Sequence, residues 1–296
     1  MKTEWKVLVS LVAILLVMEG GVRAFETRLS KDLAHLRELP AAAQRLKESK
    51  AYKILIVGNS LARYGIDRKL LARELENKGY GKVLVEAFYP DATGIAEWSF
   101  GLRRYFLNLG AIPDRIILVT GKTHLLDTPV VPERLGAFYV DRSDVKEAIL
   151  LDLGSVESTT RFFLAQVSGL FANRARIRPF VFYNYLPAYT QTIQEINDWR
   201  KMMAAASERK TKQQTTNLSR LLQVAQSNGI AVSVVVIPMF ETYDLPQVVI
   251  HEIGVQGAPI WDLSKIEGIG GDNFFDGYHL DAEGARRLTS EMIHRF

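Results

Sequence analysis

The chain has no cysteine. Disulfides, thiolate nucleophiles and cysteine metal sites are therefore excluded, although the absence does not fix the compartment. Its 5 histidines, at positions 35, 124, 251, 279 and 294, show no His-Glu-x-x-His spacing, so a zinc hydrolase of that kind is not encoded. No Gly-x-Gly-x-x-Gly follows the first predicted strand and no Gly-Lys-Ser/Thr loop occurs, so nucleotide binding has no sequence support. An excess of one charge is also missing: 37 basic residues face 33 acidic ones, a net charge of +4. The basic clusters Arg174, Arg176, Arg178 and Arg209, Lys210, Lys212 are not interleaved with aromatics in the manner of a nucleic-acid surface, and they read as solvated faces. These absences lead us to expect no cofactor, no metal and no nucleic acid.

What is present is ordinary for a globular protein: 296 residues, 48% hydrophobic and 24% charged, enough for one large domain or two small ones. The amino terminus is distinctive. Lys2 and Lys6 precede the apolar run Val7–Met18, and Glu19, Gly20 and Gly21 are expected to break it. A full bilayer span needs about 20 apolar residues, so this shorter run suits a signal-peptide core with Val22 and Ala24 before a cleavage point, or else a short membrane anchor. Residues 1–24 are read as one or the other, with the remainder exported to the periplasmic or extracellular side of a bacterial membrane, tethered or secreted. Leu29, Leu33, Leu36, Leu39 and Leu46 stand among charges in 25–51, the pattern of an amphipathic helical linker.

From Tyr52 onward strand and helix patterns alternate. Strands are expected at Lys53–Val57, Lys82–Ala87, Arg115–Thr120, Ala231–Ile237 and Pro259–Leu263. Helices are expected over about Asp67–Lys78, Ile95–Leu109, Ser207–Ser227 and Ala282–Arg295, the last capped by Asp281. The third strand is a continuous apolar run, which argues for a sheet covered on both faces. The fold class is α/β: a doubly wound, mostly parallel five-stranded sheet of the flavodoxin type over 52–296. Residues 122–205 interrupt the rhythm as a helical insertion, either a lid or a pad, with helices at Val145–Leu151 and Thr159–Ala175 and a strand or loop at Phe180–Tyr185.

Two fragments carry chemistry. Gly58-Asn59-Ser60 ends the first strand, where open α/β sheets place ligands. A turn with a helix-capping serine would look the same. Asp276-Gly277-Tyr278-His279 precedes the last helix. A carboxylate and an imidazole three residues apart on a loop reach each other, leaving the second ring nitrogen to take a proton from a serine. A plain turn, with His279 beginning a helix, is the alternative. Both fragments fall at the carboxyl edge of the predicted sheet, so they fit one constellation of Ser60, His279 and Asp276.

With these residues in view the sequence resembles the SGNH (GDSL-like) hydrolases, of the envelope-anchored esterase or O-acyltransferase type. The resemblance covers roughly 52–121 and 218–295. Gly58-Asn59-Ser60 is similar to the Gly-Asp-Ser block, Gly94 to the glycine of the second block, Gly121-Lys122-Thr123-His124 to the Gly-x-Asn-Asp block, and Asp276-x-x-His279 to the last block. It implies Ser60 as nucleophile, His279 as base and Asp276 as its orienter. The oxyanion hole would come from the N–H groups of Ser60 and Gly94 and the side chain at 123, where Thr123 replaces the family asparagine. The implied substrates are acylated carbohydrate or small esters, with the membrane met through the N-terminal segment. A catalytically inactive binding or scaffold protein of the cell envelope is the competing reading.

Overall fold

The computed structural model describes residues 2–186 and 213–296. Its elements run α1 (Lys2–Leu29), α2 (Lys31–Glu48), β1 (Tyr52–Val57), α3 (Ser60–Gly65), α4 (Arg68–Leu75), β2 (Val83–Phe88), α5 (Ile95–Tyr105) and β3 (Arg115–Thr120). They continue with α6 (Pro132–Arg134), α7 (Val145–Ala148), α8 (Val156–Val167), α9 (Gly169–Tyr185), α10 (Thr216–Ser227), β4 (Ala231–Val236), α11 (Gln247–Val255), β5 (Ile260–Asp262) and α12 (Ala282–Ile293). The chain divides into two compact units, one helical and one built on the sheet.

The sheet unit holds residues 38–130, 139–146 and 212–296. All five strands are parallel, in the order β2-β1-β3-β4-β5. This is the doubly wound α/β arrangement, and its layout is the one implied by the resemblance to SGNH hydrolases. Ile54, Ile56, Ile117, Val119, Val235 and Ile237 are buried on one face, in a cluster with residues of α3, α4 and α12. Their alternates Leu55, Val57, Ile116, Leu118, Val234 and Val236 are buried too, and Trp98 and Phe100 of α5 and Leu218 and Leu221 of α10 add to the core. Burial on both faces is why these strands read as unbroken apolar runs. Residues 38–48, expected to be linker, belong to this unit: Leu39, Ala42, Ala43 and Leu46 are buried, and Arg45 pairs with Glu86 of β2 through Nε at 2.5 Å and a second nitrogen at 2.9 Å. Helix α10 starts at Thr216 because the Asp127 carboxylate accepts the N–H groups of Thr216 and Asn217 at 2.8 and 3.1 Å. The earlier part of its expected range, 207–212, lies outside the described residues.

The described part of the helical unit is residues 2–37, 131–138 and 147–186. Glu133, almost fully buried at the start of α6, pairs with Arg161 of α8 at 2.5 Å and with Arg174 of α9. Gly136 lies so close to Phe162 that an added Cβ would come within 2.5 Å of its carbonyl oxygen, which ties this segment to α8. Two expectations are corrected below. Helix α1 itself runs on past Glu19-Gly20-Gly21, where the apolar run ends, to Leu29. The two glycines weaken the helix locally by about 1 kcal/mol each relative to alanine, yet Glu19 anchors it to α9. The expected helix Thr159–Ala175 is two helices, divided at Ser168, which caps α9 by accepting the Phe171 N–H at 3.1 Å. Phe180–Tyr185 is the end of α9 rather than strand or loop; short apolar aromatic runs do not separate the two by periodicity.

Candidate active site

Ser60 opens α3, one residue beyond the end of the turn that follows β1. Gly58 permits that turn. A Cβ there would lie 2.7 Å from the Ala62 Cβ and 3.1 Å from the Val119 carbonyl oxygen, so any other residue would push the turn off β3. Asn59 then holds it from both sides. Its Oδ1 accepts the Leu61 N–H at 3.0 Å as the helix cap, and its Nδ2 donates to the Thr93 carbonyl at 3.2 Å, joining the loop after β1 to the loop after β2. Ser60 is left half-buried, with its backbone N–H in the first turn of a helix, where such groups have no intrahelical partner.

The second fragment is the tip of a short loop. Phe274 bridges Leu280, and the Phe275 N–H donates to the His279 carbonyl at 3.1 Å. Gly277 turns the tip with φ of 75°, a left-handed conformation that favours glycine. The Asp276 Oδ1 accepts the N–H groups of Tyr278 and His279 at 3.0 and 2.8 Å. Its Oδ2 meets His279 Nδ1 at 2.7 Å, and His279 Nε2 lies 2.9 Å from Ser60 Oγ. Asp276 therefore holds the turn with one oxygen and meets the His279 ring with the other. His279 does not begin a helix, since α12 is capped by Asp281, whose side chain accepts the Gly284 N–H at 2.7 Å.

Burial pushes the Asp276 carboxyl up, but the hydrogen bonds from the His279 ring, from the two backbone N–H groups and the charge of His279 outweigh it and hold the carboxyl below the usual range. An ionised Asp276 accepts from His279 Nδ1–H, and in the neutral ring Nε2 is then the acceptor facing the serine hydroxyl.

The other implied positions are less complete. Gly94 caps α5, but its N–H donates to the Glu97 Oε2 at 3.2 Å and becomes available to another acceptor only by giving that bond up. Thr123 is exposed, and its carbonyl accepts the Leu126 N–H at 3.1 Å in a turn. Beside it His124 is half-buried, and the loss of solvent around the ring pushes its imidazole down to about 4 and keeps it neutral. Its Nδ1 accepts the Gly121 N–H at 3.3 Å, so Nε2 carries the proton and donates to the Tyr278 hydroxyl at 3.4 Å.

Aromatic rings surround His279. Phe275 stacks near His279 with centroids 5.8 Å apart and planes at 18°, Tyr278 meets it edge-on at 4.9 Å, and Tyr64 lies 5.0 Å away. Sequence reasoning missed this rim. The signal was present: Tyr64 is one helical turn beyond Ser60, and Phe275 and Tyr278 sit beside Asp276 and His279. Among the described residues no group of three or more His, Asp or Glu side chains is placed to hold a metal ion.

No protein-family model matches the chain, and a search of curated proteins finds no match. Among solved structures, an acetyl xylan esterase is 13% identical, with a TM-score of 0.40 over 82% of this chain and 98% of the other. A lipase/acylhydrolase from Enterococcus faecalis is 14% identical, with a TM-score of 0.41 over 82% of this chain and 94% of the other. A variant of an acetyl xylan esterase from Geobacillus stearothermophilus is 10% identical, with a TM-score of 0.42 over 84% of this chain and 95% of the other. Likenesses of this strength carry no argument about activity, which rests on the site itself.

Proposed function

We propose that this chain is an envelope-tethered serine esterase or O-acyltransferase of SGNH type. Ser60 is the nucleophile: His279 Nε2 takes its proton as Oγ attacks an ester carbonyl, and Asp276 holds the imidazole in the required tautomer and stabilises the imidazolium. The tetrahedral oxyanion faces the Ser60 N–H, with the loops of Gly94 and Thr123 as the further sources of donors. Collapse expels the alcohol, which receives the proton from His279, and leaves an acyl-Ser60 ester. Water or a sugar hydroxyl, deprotonated by His279, then takes the acyl group. The exposed rings of Phe275 and Tyr278 are suited to stack against a sugar ring, which favours acylated carbohydrate as the substrate class. Helix α1 is long and apolar enough to cross a membrane by length and composition, and the Glu19 contacts with α9 favour its retention as a tether over cleavage after Ala24.

The observation that carries the reading is the continuous line from Ser60 Oγ through the imidazole to Asp276, at 2.9 and 2.7 Å. Fluorophosphonate treatment followed by mass spectrometry tests it. The adduct is expected on the peptide bearing Ser60, and it should vanish in Ser60→Ala and His279→Ala. The inactive-scaffold reading draws on the committed Gly94 N–H. An unlabelled wild-type protein that also fails to cleave a short-chain aryl ester would establish it.

A further inference from the structure

Among the described residues, the helical unit carries apolar surface that their packing leaves exposed. On α8, Val156, Phe163, Leu164 and Val167 are exposed, Val156 at 84% and Val167 at 72%, while Phe162 and Ala165 are buried. Spacings of 7, 8 and 11 residues from Val156 put the four on one helical face. Leu150 and Leu151, in the turn before α8, extend the exposed surface, Leu150 at 69%. The polar residue on this face is Thr160, and its hydroxyl is already satisfied, donating to the Val156 carbonyl at 2.9 Å. Thr159 does the same to the Ser155 carbonyl at 2.9 Å. The Arg161 side chain is directed into the unit, onto Glu133 at 2.5 Å. Glu157 lies at the margin of this face, two turns before Leu164, and pairs with Arg161 at 3.6 Å. An exposed surface that is apolar up to that margin and satisfied in its hydroxyls is built for something other than water.

The position of this face along α1 identifies its partner. Glu19 is the first charged residue after the apolar run Val7–Met18, so it marks where a spanning α1 would leave the hydrocarbon. At that level α1 holds the junction of α8 and α9. The Glu19 carboxylate accepts the Gly169 N–H at 2.6 Å, the Leu170 N–H at 2.9 Å and the Ser168 hydroxyl at 2.9 Å. Arg23, paired with Glu19 at 2.6 Å, donates to the Val167 carbonyl at 3.0 Å. The carboxyl end of the apolar α8 face is thereby pinned at the level of the bilayer boundary.

We propose that the exposed face of α8, with Leu150 and Leu151, seats in the interfacial layer of the bilayer that α1 crosses, so that the helical unit is a monotopic foot as well as a tether. The inference rests on the tethered reading of α1. The partner is the lipid surface itself, recognised by apolar contact at headgroup depth.

The absence of cysteine provides a clean probe. Single Leu164→Cys, Val167→Cys and Glu157→Cys variants of the full chain are labelled with an environment-sensitive fluorophore and reconstituted in phosphatidylcholine vesicles. Glu157, whose side chain is 81% exposed, is the control on the same helix. Circular dichroism and intact mass confirm folding and the presence of residues 1–24. Shallow spin-labelled lipid is expected to quench the labels at 164 and 167 at least threefold more than the label at 157, and iodide should show the reverse order. If the chain is membrane-bound but all three labels are equally open to iodide, the foot is wrong and the tether stands. If the labels at 164 and 167 are shielded without lipid quenching, in proportion to protein density, a second copy covers the face and the proposal falls. If the chain has lost residues 1–24 and leaves the vesicles, tether and foot fall together.

Discussion

The two sides of the candidate site are unequally finished. On the proton-relay side every bond is in place: Asp276 to His279 at 2.7 Å, His279 to Ser60 at 2.9 Å, and two backbone N–H groups fixing the carboxylate. On the oxyanion side the Gly94 N–H is committed to Glu97 and Thr123 is exposed. The difference follows from how each side is made. Asp276 and His279 belong to one loop tip and need only meet a serine at the end of β1. The proposed oxyanion side would depend on two loops, after β2 and β3, whose donors would acquire their partner only when charge develops on a substrate. Catalytic hydrogen bonds often tighten only around a ligand, and in the proposed site the oxyanion half is the one that would wait for it.

The strongest test of the finished side is Asp276→Asn. The amide keeps an acceptor for the turn but no longer stabilises an imidazolium, and it favours the wrong tautomer of His279. Ester hydrolysis at pH 7 is expected to fall by about 10³- to 10⁴-fold, with thermal stability altered far less. A loss below tenfold would mean that the relay is a turn motif and not machinery.

Acid should separate the two sides. Asp276 is held below the usual carboxylate range, so its charge survives mild acid. His124 is held down to about 4 by burial, below its ordinary value of 6.5. The unfolded chain therefore binds the proton first, and the stability that neutral His124 provides is complete above about pH 6.5 and lost as the pH falls towards 4. On the order of 2–3 kcal/mol is at stake across that window. Protonation also turns His124 Nδ1 from acceptor to donor and ends its bond with the Gly121 N–H. Denaturant unfolding from pH 7 to 4 should show this slope, and His124→Gln should flatten it.

Much of the relay side was legible in sequence because its geometry is local. An Asp-Gly turn followed by His279 encodes both the fold of the loop and the placement of the ring, and the continuous apolar run of Arg115–Thr120 encodes a sheet buried on both faces. What was not legible depends on distant contacts. The continuity of α1 through Gly20 and Gly21 is supported by Glu19 meeting the start of α9, 150 residues away. The commitment of Gly94 was encoded by the glutamate three residues on, a helix-capping spacing, but the same glycine also fits the second family block, and sequence alone does not say which role its N–H fills.

Asn59 links the two sides, which makes Asn59→Asp informative. The carboxylate still caps Leu61, but the donor to the Thr93 carbonyl is lost and a buried oxygen is left facing another oxygen. A stability cost of about 1–3 kcal/mol is expected by thermal unfolding. Activity should fall by roughly tenfold if the loop after β2 serves the oxyanion. Lost stability with unchanged kcat/KM would detach that loop from the chemistry.

The smallest effect is expected at Thr123. Its side chain points to no described partner that would hold it against a developing oxyanion, and a threonine hydroxyl reaches less far than a carboxamide. Thr123→Ala is therefore expected to change kcat/KM on an aryl ester by less than about threefold, whereas removal of an engaged oxyanion donor costs on the order of a hundredfold or more. Thr123→Asn sharpens the comparison, since it supplies the donor that the family pattern carries. A gain of about tenfold in kcat without a matching change in KM would show that the oxyanion side is short of one donor. If instead Thr123→Ala costs a hundredfold, the loop after β3 must close onto the substrate, and the unfinished half of the site is an open state of a complete one.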